Sequence, residues 1–306
     1  MNILKKIVTG PRVFFGVRTQ PFFKKLWLKK IKTQDEFKNL QNFFDERVEL
    51  FEKPIADRNK DKKTWFLDGY CEPCEKTTSF LTDWSYSYSD FPNFRERLVC
   101  SSCSLNNRQR FIAAFIKKMI KKDDTTAKIY LYEQVTDFFK YIKSEFNKAD
   151  VIGSEYLGHT IKSGEIINGI RHEDALRLSF DDNVFDIVVS NDVYEHVPEP
   201  QKALKEVCRI LRENGKLIFS VPFHNLEAKT KHRAIIKDNN VINILPEQYH
   251  GNPISDKGSL VFNDLGWDII DMCYTAGFKD AYMLAYYSPY FGYIGGGVQF
   301  CFIAEK

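Results

Sequence analysis

The sequence predicts an α/β protein: a doubly wound sheet of largely parallel strands, preceded by a small module built around cysteines. Three observations carry this. From Lys128 onward short β runs alternate with amphipathic helical stretches, a pattern that implies right-handed βαβ crossovers. Phe185–Ser190 (FDIVVS) is a nearly continuous apolar run, as expected of a strand buried on both faces of a parallel sheet. Cys71 and Cys74 form one C-x-x-C pair, Cys100 and Cys103 another, with 25 residues between the pairs. Composition agrees, since 306 residues with 43% hydrophobic and 28% charged side chains describe one large or two unequal globular domains and exclude disordered, collagenous and disulfide-dense chains.

Residues 1–33 carry nine Lys or Arg and no acid, so the remainder of a chain whose net charge is +3 sums to −6. The cations alternate with Phe14, Phe15, Phe22, Phe23, Leu26, Trp27 and Leu28, and such an arm suits an anionic membrane surface or nucleic acid, or simply packs as an N-terminal arm. No apolar h-region follows it, so a cytoplasmic location is expected. Residues 34–66 read as charged helix. Trp65–Arg110 holds the cysteines among many aromatics and few long aliphatics, a thin core that a metal staple would support. Lys128–Glu133 is a strand, and Gln134–Phe146 a helix with Val135, Phe138, Phe139, Ile142 and Phe146 on one face. Asp150–Glu155 and Phe185–Ser190 follow as strands, then helix Pro200–Arg212 with Pro in its first turn, strand Lys216–Val221, and helix Leu265–Ala276 stopped by Gly277. Ala281–Ala304 lacks charge, yet Ser288, Pro289, Gly292, Gly295–Gly297 and Gln299 divide it into two paired strands rather than a membrane span. The expected domains are a basic arm and helical segment (1–66), a cysteine module (67–110) and an α/β domain (111–306).

Two C-x-x-C knuckles offer four thiolates to one tetrahedral Zn²⁺, whose borderline softness suits a closed Cys₄ structural site. The expectation is therefore a zinc-ribbon-like module ligated by Cys71, Cys74, Cys100 and Cys103; a redox pair or free thiols is the alternative. Cys208, Cys273 and Cys301 lie in apolar stretches and read as core thiols.

In doubly wound sheets ligands bind beyond the carboxyl ends of the strands. Three strands end there in Glu133, Glu155 and Asn191-Asp192. An acid closing the second strand is placed to accept hydrogen bonds from both ribose hydroxyls of an adenosine, and Asp174 could accept one from an adenine amino group.

Glu173–Phe223 (EDALRLSFDDNVFDIVVSNDVYEHVPEPQKALKEVCRILRENGKLIFSVPF) resembles the central half of a class I S-adenosylmethionine-dependent methyltransferase of the type 11 domain group. The D-x-x-x-L-S-F-x-D-x-x-F-D approach, the Glu195-His196-Val197-Pro198 turn and the E-x-x-R-x-L-x-x-x-G passage from Glu206 to Gly215 carry it. The resemblance implies a Rossmann-like methyltransferase sheet, S-adenosylmethionine as cofactor, and Glu133, Gln134, Glu155, Asp174 and Asn191 as its contacts. In this family the loop after the first strand usually reads E/D-x-G-x-G-x-G, whereas Glu133 is followed here by Gln134-Val135-Thr136-Asp137-Phe138. Without glycine's conformational freedom the loop must take another path, with the Glu133 and Gln134 side chains reaching the methionine amino and carboxylate groups, or fail to bind.

Methyl transfer from a sulfonium needs positioning, exclusion of water and, for a hydroxyl acceptor, a proton acceptor. His196, His250 and Asp192 are the expected catalytic groups, with His224 and Glu195 nearby in the pattern; His250 lies in an insertion, Pro246–Pro253, suited to a lid. No Asn-Pro-Pro-aromatic signature of exocyclic amine methylation and no Pro-Cys nucleophile is present. An O-methyltransferase for a glycan, lipid-linked or small-molecule acceptor is thus expected, with Tyr249, Tyr286, Tyr287, Tyr290 and Phe291 available to stack on sugar faces. Two alternatives stand beside it. One is an RNA methyltransferase, with Arg95, Arg97, Arg108 and Arg110 holding phosphates; the other is a non-catalytic binding module of methyltransferase fold.

Overall fold

The structure is a computed structural model that describes residues 26–87, 90–238 and 240–306. Most of the basic arm therefore lies outside the described residues. The chain divides into two compact units, the first holding the described residues up to Ile31, Asp35–Ile120 and Leu284–Phe300, the second Lys32–Gln34, Lys121–Met283 and Cys301–Lys306. Among the described residues no helix is long and apolar enough to cross a membrane.

The first unit contains strand β1 (Trp27–Ile31), helix α1 (Gln34–Arg47, entering from Asp35), a π-turn at Val48–Glu52, helix α2 (Lys53–Asn59), strands β2 (Thr64–Cys71), β3 (Lys76–Asp83) and β4 (Val99–Cys100), and helix α3 (Asn107–Met119). β2, β3 and β4 form an antiparallel sheet in which Cys71 is paired with Lys76 and Phe80 with Cys100. α3 starts where it does because Asn106 accepts from the Gln109 N–H while the Gln109 side chain returns to the Asn106 N–H, a reciprocal cap.

The expected boundaries at 67 and 110 are corrected here: the cysteine sheet is not a separate module. Its core of Leu67, Phe80, Phe94, Leu98 and Cys100 is shared with Phe44 and Ile55 from the helical segment and with Tyr287 and Ile294 from far downstream. The Tyr70 N–H donates to the Tyr290 carbonyl, and the fully buried Arg110 donates to the carbonyls of Phe291 and Gly292 while lying over the Phe80 ring. A module of 46 residues, Trp65–Arg110, too poor in aliphatics to fold around itself has borrowed residues 284–300 to finish its core, and sequence distance conceals that.

The second unit adds strands β5 (Lys128–Leu131), β6 (Asp150–Gly153), β7 (Phe185–Asn191) and β8 (Leu211–Ser220), helices α4 (Asp137–Glu145) and α5 (Pro200–Ile210), the hairpin β9 (Tyr249–Asn252) and β10 (Ser255–Leu260), helix α6 (Asp268–Ala276), and parts of strands β11 (Asp280–Tyr287) and β12 (Gln299–Glu305), of which Leu284–Tyr287 and Gln299–Phe300 count with the first unit. The seven-stranded sheet runs β1-β11-β12-β8-β7-β5-β6. β5 is parallel to β6 and β7, β7 is parallel to β8, and β12 joins β8 antiparallel, with Lys216 opposite Glu305. Ile129, Tyr130, Leu131, Val188 and Val189 are wholly buried, as the apolar runs require.

Three expected elements shift for local reasons. Thr136, not Gln134, starts α4, because its hydroxyl accepts the Phe139 N–H. α5 stops at Ile210 because Leu211 already pairs with Phe185 in β8, the register then slipping before Lys216. Leu265 is held in a parallel bridge to Phe223, so α6 begins only at Asp268, and Gly277 ends it in the left-handed region at φ 108°. Gly153 has a different duty: a Cβ there would lie 2.5 Å from both the Glu133 carbonyl oxygen and the Phe139 ring, so glycine is what lets β6 close on the loop after β5. The three remaining cysteines, Cys208, Cys273 and Cys301, are buried as expected.

Candidate active site and cysteine cluster

The chain leaves β5 toward β6 on one side and returns through β7 on the other, so a crevice opens between β5 and β7 at the carboxyl ends of the strands. Glu133 and Asn191 meet across it, the Asn191 amide donating to Glu133 Oε1 at 2.6 Å, while the Thr136 hydroxyl donates to Oε2. Beside them Glu155 Oε1 accepts the backbone N–H groups of Gln134 (2.7 Å) and Val135 (3.0 Å). Burial raises the Glu155 carboxyl above its ordinary pKa, and these two N–H bonds pull it back down. Thus the loop that lacks glycine is shaped by the acid of the neighbouring strand.

The Gln134 side chain donates to the Gly169 carbonyl at 2.8 Å and accepts the Arg171 N–H at 2.8 Å, so it pins residues 169–171. Only its backbone N–H serves the loop. Asp174 Oδ1 accepts the Leu176 N–H at 2.9 Å, a local turn bond that fixes the segment after the second strand.

Asp192, at φ 52°, sits directly after β7 with Oδ1 accepting from the Ser220 hydroxyl at 2.9 Å. The short 3₁₀ turn Tyr194–His196 follows. There Glu195 is 1% exposed, with His196 Nε2 3.4 Å and His250 Nδ1 3.6 Å from its Oε1. The two imidazoles stand edge to face, ring centres 5.1 Å apart. His250 reaches the turn because its hairpin is anchored there: the Phe262 N–H donates to the Glu195 carbonyl, and His196 Nδ1 meets the Leu260 carbonyl at 2.8 Å. Burial pushes the Glu195 carboxyl up, and Glu195 in turn holds the His250 imidazole above its usual range. His224 stands apart, 3.5 Å from Asp264. Glu195 is the residue that pattern reading undervalued; its signal was an acid beside a histidine immediately after a buried strand.

Of the aromatics expected to face sugars, Tyr286 and Tyr287 are core side chains of the first unit, Tyr286 stacked on Phe111 at 3.6 Å and Tyr287 edge-on to Phe44. Tyr290 stacks on Tyr70, and Phe291 packs beside both. Tyr249 is exposed on β9. The four arginines expected to hold phosphates are engaged as well: Arg95 and Arg108 on Glu96, Arg97 on Asp83, and Arg110 in the core.

In the first unit Cys71 ends β2, Cys100 ends β4, and the turns after them return Cys74 and Cys103. All four Sγ atoms lie within 4.8 Å of one another, with Cys71–Cys103 at 3.9 Å and Cys74–Cys100 at 4.0 Å. A tetrahedron with Zn–S legs of about 2.3 Å has edges of about 3.8 Å. The Ser102 N–H donates to Cys100 Sγ at 3.3 Å, a bond that supports a thiolate.

Residues 126–219 match the methyltransferase domain family. Among curated proteins, a ubiquinone biosynthesis O-methyltransferase of Coxiella burnetii is 34% identical over 73 residues, 24% of this chain and 30% of that protein. A sarcosine/dimethylglycine N-methyltransferase of Halorhodospira halochloris is 44% identical over 43 residues, 14% of this chain and 15% of that one. The chain thus matches less than a third of the length of these relatives. Among solved structures, an S-adenosylmethionine-dependent methyltransferase from Mesorhizobium loti aligns at 12% identity over 63% of this chain and 96% of that one, TM-score 0.37. The matched domain and the strand order together describe a Rossmann-like methyltransferase fold with a mixed central sheet.

Proposed function

We propose that this chain is an S-adenosylmethionine-dependent methyltransferase acting on a hydroxyl of a small-molecule, glycan or lipid-linked acceptor. The observation that carries the reading is the convergence of Glu133, Glu155 and Asn191 at the switch point between β5 and β7, inside the stretch that matches the methyltransferase domain. The donor set fits the cofactor. In this reading Glu155, one oxygen of which holds the loop, is assigned to ribose, Glu133 and Asn191 to the amino-acid end of the cofactor, and Asp174 to the adenine amino group. Gln134 acts through its backbone, keeping the loop against Glu155.

When bound, the cofactor supplies a methyl group on a sulfonium with a neutral thioether as leaving group. The protein's own work is to hold the acceptor in line, exclude water and accept a proton. Asp192 and His196 are assigned to that side of the site because they follow β7, whose end also carries Asn191, and His250 because its hairpin brings it to the same turn, 3.6 Å from Glu195. The relative named for O-methylation supports an oxygen acceptor.

Cys71, Cys74, Cys100 and Cys103 are assigned a structural Zn²⁺, supported by sulfur separations close to a tetrahedral edge. The seven cysteines are all free of disulfides, which suits a reducing, cytoplasmic setting. The basic segment 1–33 is assigned contact with an anionic membrane surface, on nine cations without an acid. A non-catalytic role is the second reading, favoured by the loop N–H groups already spent on Glu155.

The acceptor test uses methyl-labelled S-adenosylmethionine with three acceptor pools: hydroxylated lipids and phenols, glycans, and RNA. Label is expected in a hydroxyl-bearing pool of the first two kinds, as an ether stable to mild base. Label confined to RNA contradicts the acceptor class, and label on an amine contradicts the O-methyl reading.

A further inference from the structure

The turn after β7 holds a buried carboxylate without a conventional partner. Glu195 is 1% exposed, and neither of its oxygens has a hydrogen-bond partner. Its two neighbours, His196 Nε2 and His250 Nδ1, stand at 3.4 and 3.6 Å, and the three ligand atoms all lie within 4.8 Å of one another.

The hydrogen bonding of His196 makes the arrangement more specific. Its Nδ1 is 2.8 Å from the Leu260 carbonyl, an acceptor, so Nδ1 carries the proton. In the neutral ring Nε2 then presents a lone pair on the side of Glu195. Two electron-rich atoms facing each other at 3.4 Å repel unless a positive charge lies between them. A ring nitrogen fixed by a backbone carbonyl, with the other nitrogen aimed into a cluster, is also how metal-bound histidines are oriented. His250 Nε2 lies 3.2 Å from the amide end of Gln248, which on turning over can offer either an N–H or an oxygen and so permits the tautomer with its lone pair on Nδ1.

We propose that Glu195, His196 and His250 bind a divalent first-row transition metal ion, with Zn²⁺ the leading candidate. Tetrahedral legs of about 2.0–2.1 Å separate ligand atoms by about 3.3–3.4 Å, close to the two edges that meet at Glu195. Two imidazoles and a carboxylate suit zinc, whereas the four thiolates of the first unit form a closed set with no position left over. Three protein ligands leave the fourth position open. Binding of the ion does not depend on the methyltransferase reading; the use of the open position does, since there it would take the acceptor oxygen and favour its ionisation. In that case His196 and His250 serve as ligands, the ion lowers the pKa of the bound hydroxyl, and the proton leaves to solvent as the methyl group is transferred.

The test counts zinc. The full-length protein is stripped of metal, dialysed against micromolar Zn²⁺ and analysed for zinc per chain, alongside Glu195→Gln and His250→Ala. Glu195→Gln keeps the shape of the turn. His250→Ala alters a partly exposed side chain on a hairpin, and circular dichroism checks the fold of both. The wild type is expected to hold one zinc more than either variant: two against one, with the four cysteines filled in all three proteins. Equal counts in the wild type and both folded variants would overturn the proposal and leave a hydrogen-bonded carboxylate–imidazole cluster in its place. The count is independent of S-adenosylmethionine binding, so a chain that takes two zincs but no cofactor would refute the methyltransferase reading and keep this one.

Discussion

Cys71→Ser is expected to abolish stoichiometric zinc at the cysteine cluster and to melt the first unit well below the wild-type temperature. Cys71 is wholly buried at the end of β2, in the same core as Phe80, Phe94 and Leu98. Zinc bound by four thiolates contributes apparent folding free energy of about 10–16 kcal/mol, as much as the whole stability of an ordinary domain, about 5–15 kcal/mol. Losing one of four ligands therefore removes on the order of 5 kcal/mol or more. A strong chelator should act in the same direction on the unmodified protein. Thermal unfolding followed by aromatic fluorescence, with zinc analysis on the same samples, reads both effects. The first unit holds Trp27, Trp65 and Trp84, the second Trp267. Unchanged melting and unchanged metal in Cys71→Ser would remove the zinc assignment.

Glu155→Ala is expected to weaken S-adenosylmethionine binding by roughly a hundredfold to a thousandfold, since hydrogen bonds to charged groups contribute about 1.5–3 kcal/mol each. The loss has two sources. A carboxylate that would accept from ribose is gone, and the Gln134 and Val135 N–H groups lose the oxygen that shapes their loop. Glu155→Gln keeps one acceptor oxygen and should fall between. Global stability should change little, because β6 ends at Gly153, before this position. Competition binding against a fluorescent cofactor analogue measures the ratio, and equal affinity in Glu155→Ala would show that the crevice is not the cofactor site.

The parts legible in the sequence are those set by local chemistry. β5, β6 and β7 stand where short apolar runs put them, Gly277 stops α6, and the two C-x-x-C pairs converge because each knuckle is a turn that its own few residues form. The acids of the rim follow from strand ends, and strand ends are local too. What could not be read depends on partners distant along the chain. The segment 284–300 alternates like any strand pair, and nothing in it announces that Tyr286 packs on Phe111 or that Arg110 caps the carbonyls of Phe291 and Gly292. Gln134 occupies a position where a side chain can face a ligand or a neighbouring segment, and its bonds go to the backbone groups of Gly169 and Arg171, 35 and 37 residues away. His196 and His250 were each visible as ionisable groups near the end of β7 or in the insertion after β8. Their meeting over Glu195 was not, because it requires the hairpin β9–β10 to fold back on the turn.

The missing glycines show the same division. The motif predicts a loop that needs small residues so that a ligand can approach the backbone. In this chain the loop is held by other means: Gly153 of β6 lies against the Glu133 carbonyl, and Thr136 starts α4 by capping it.

The central claim is that this crevice binds S-adenosylmethionine, and calorimetric titration of the zinc-loaded, full-length protein with S-adenosylmethionine and with its demethylated product tests it most directly. The predicted result is a single site for each, with micromolar affinity, about −8 kcal/mol. Absence of binding by a protein that is folded and holds its zinc would contradict the claim and leave the methyltransferase fold as a binding module.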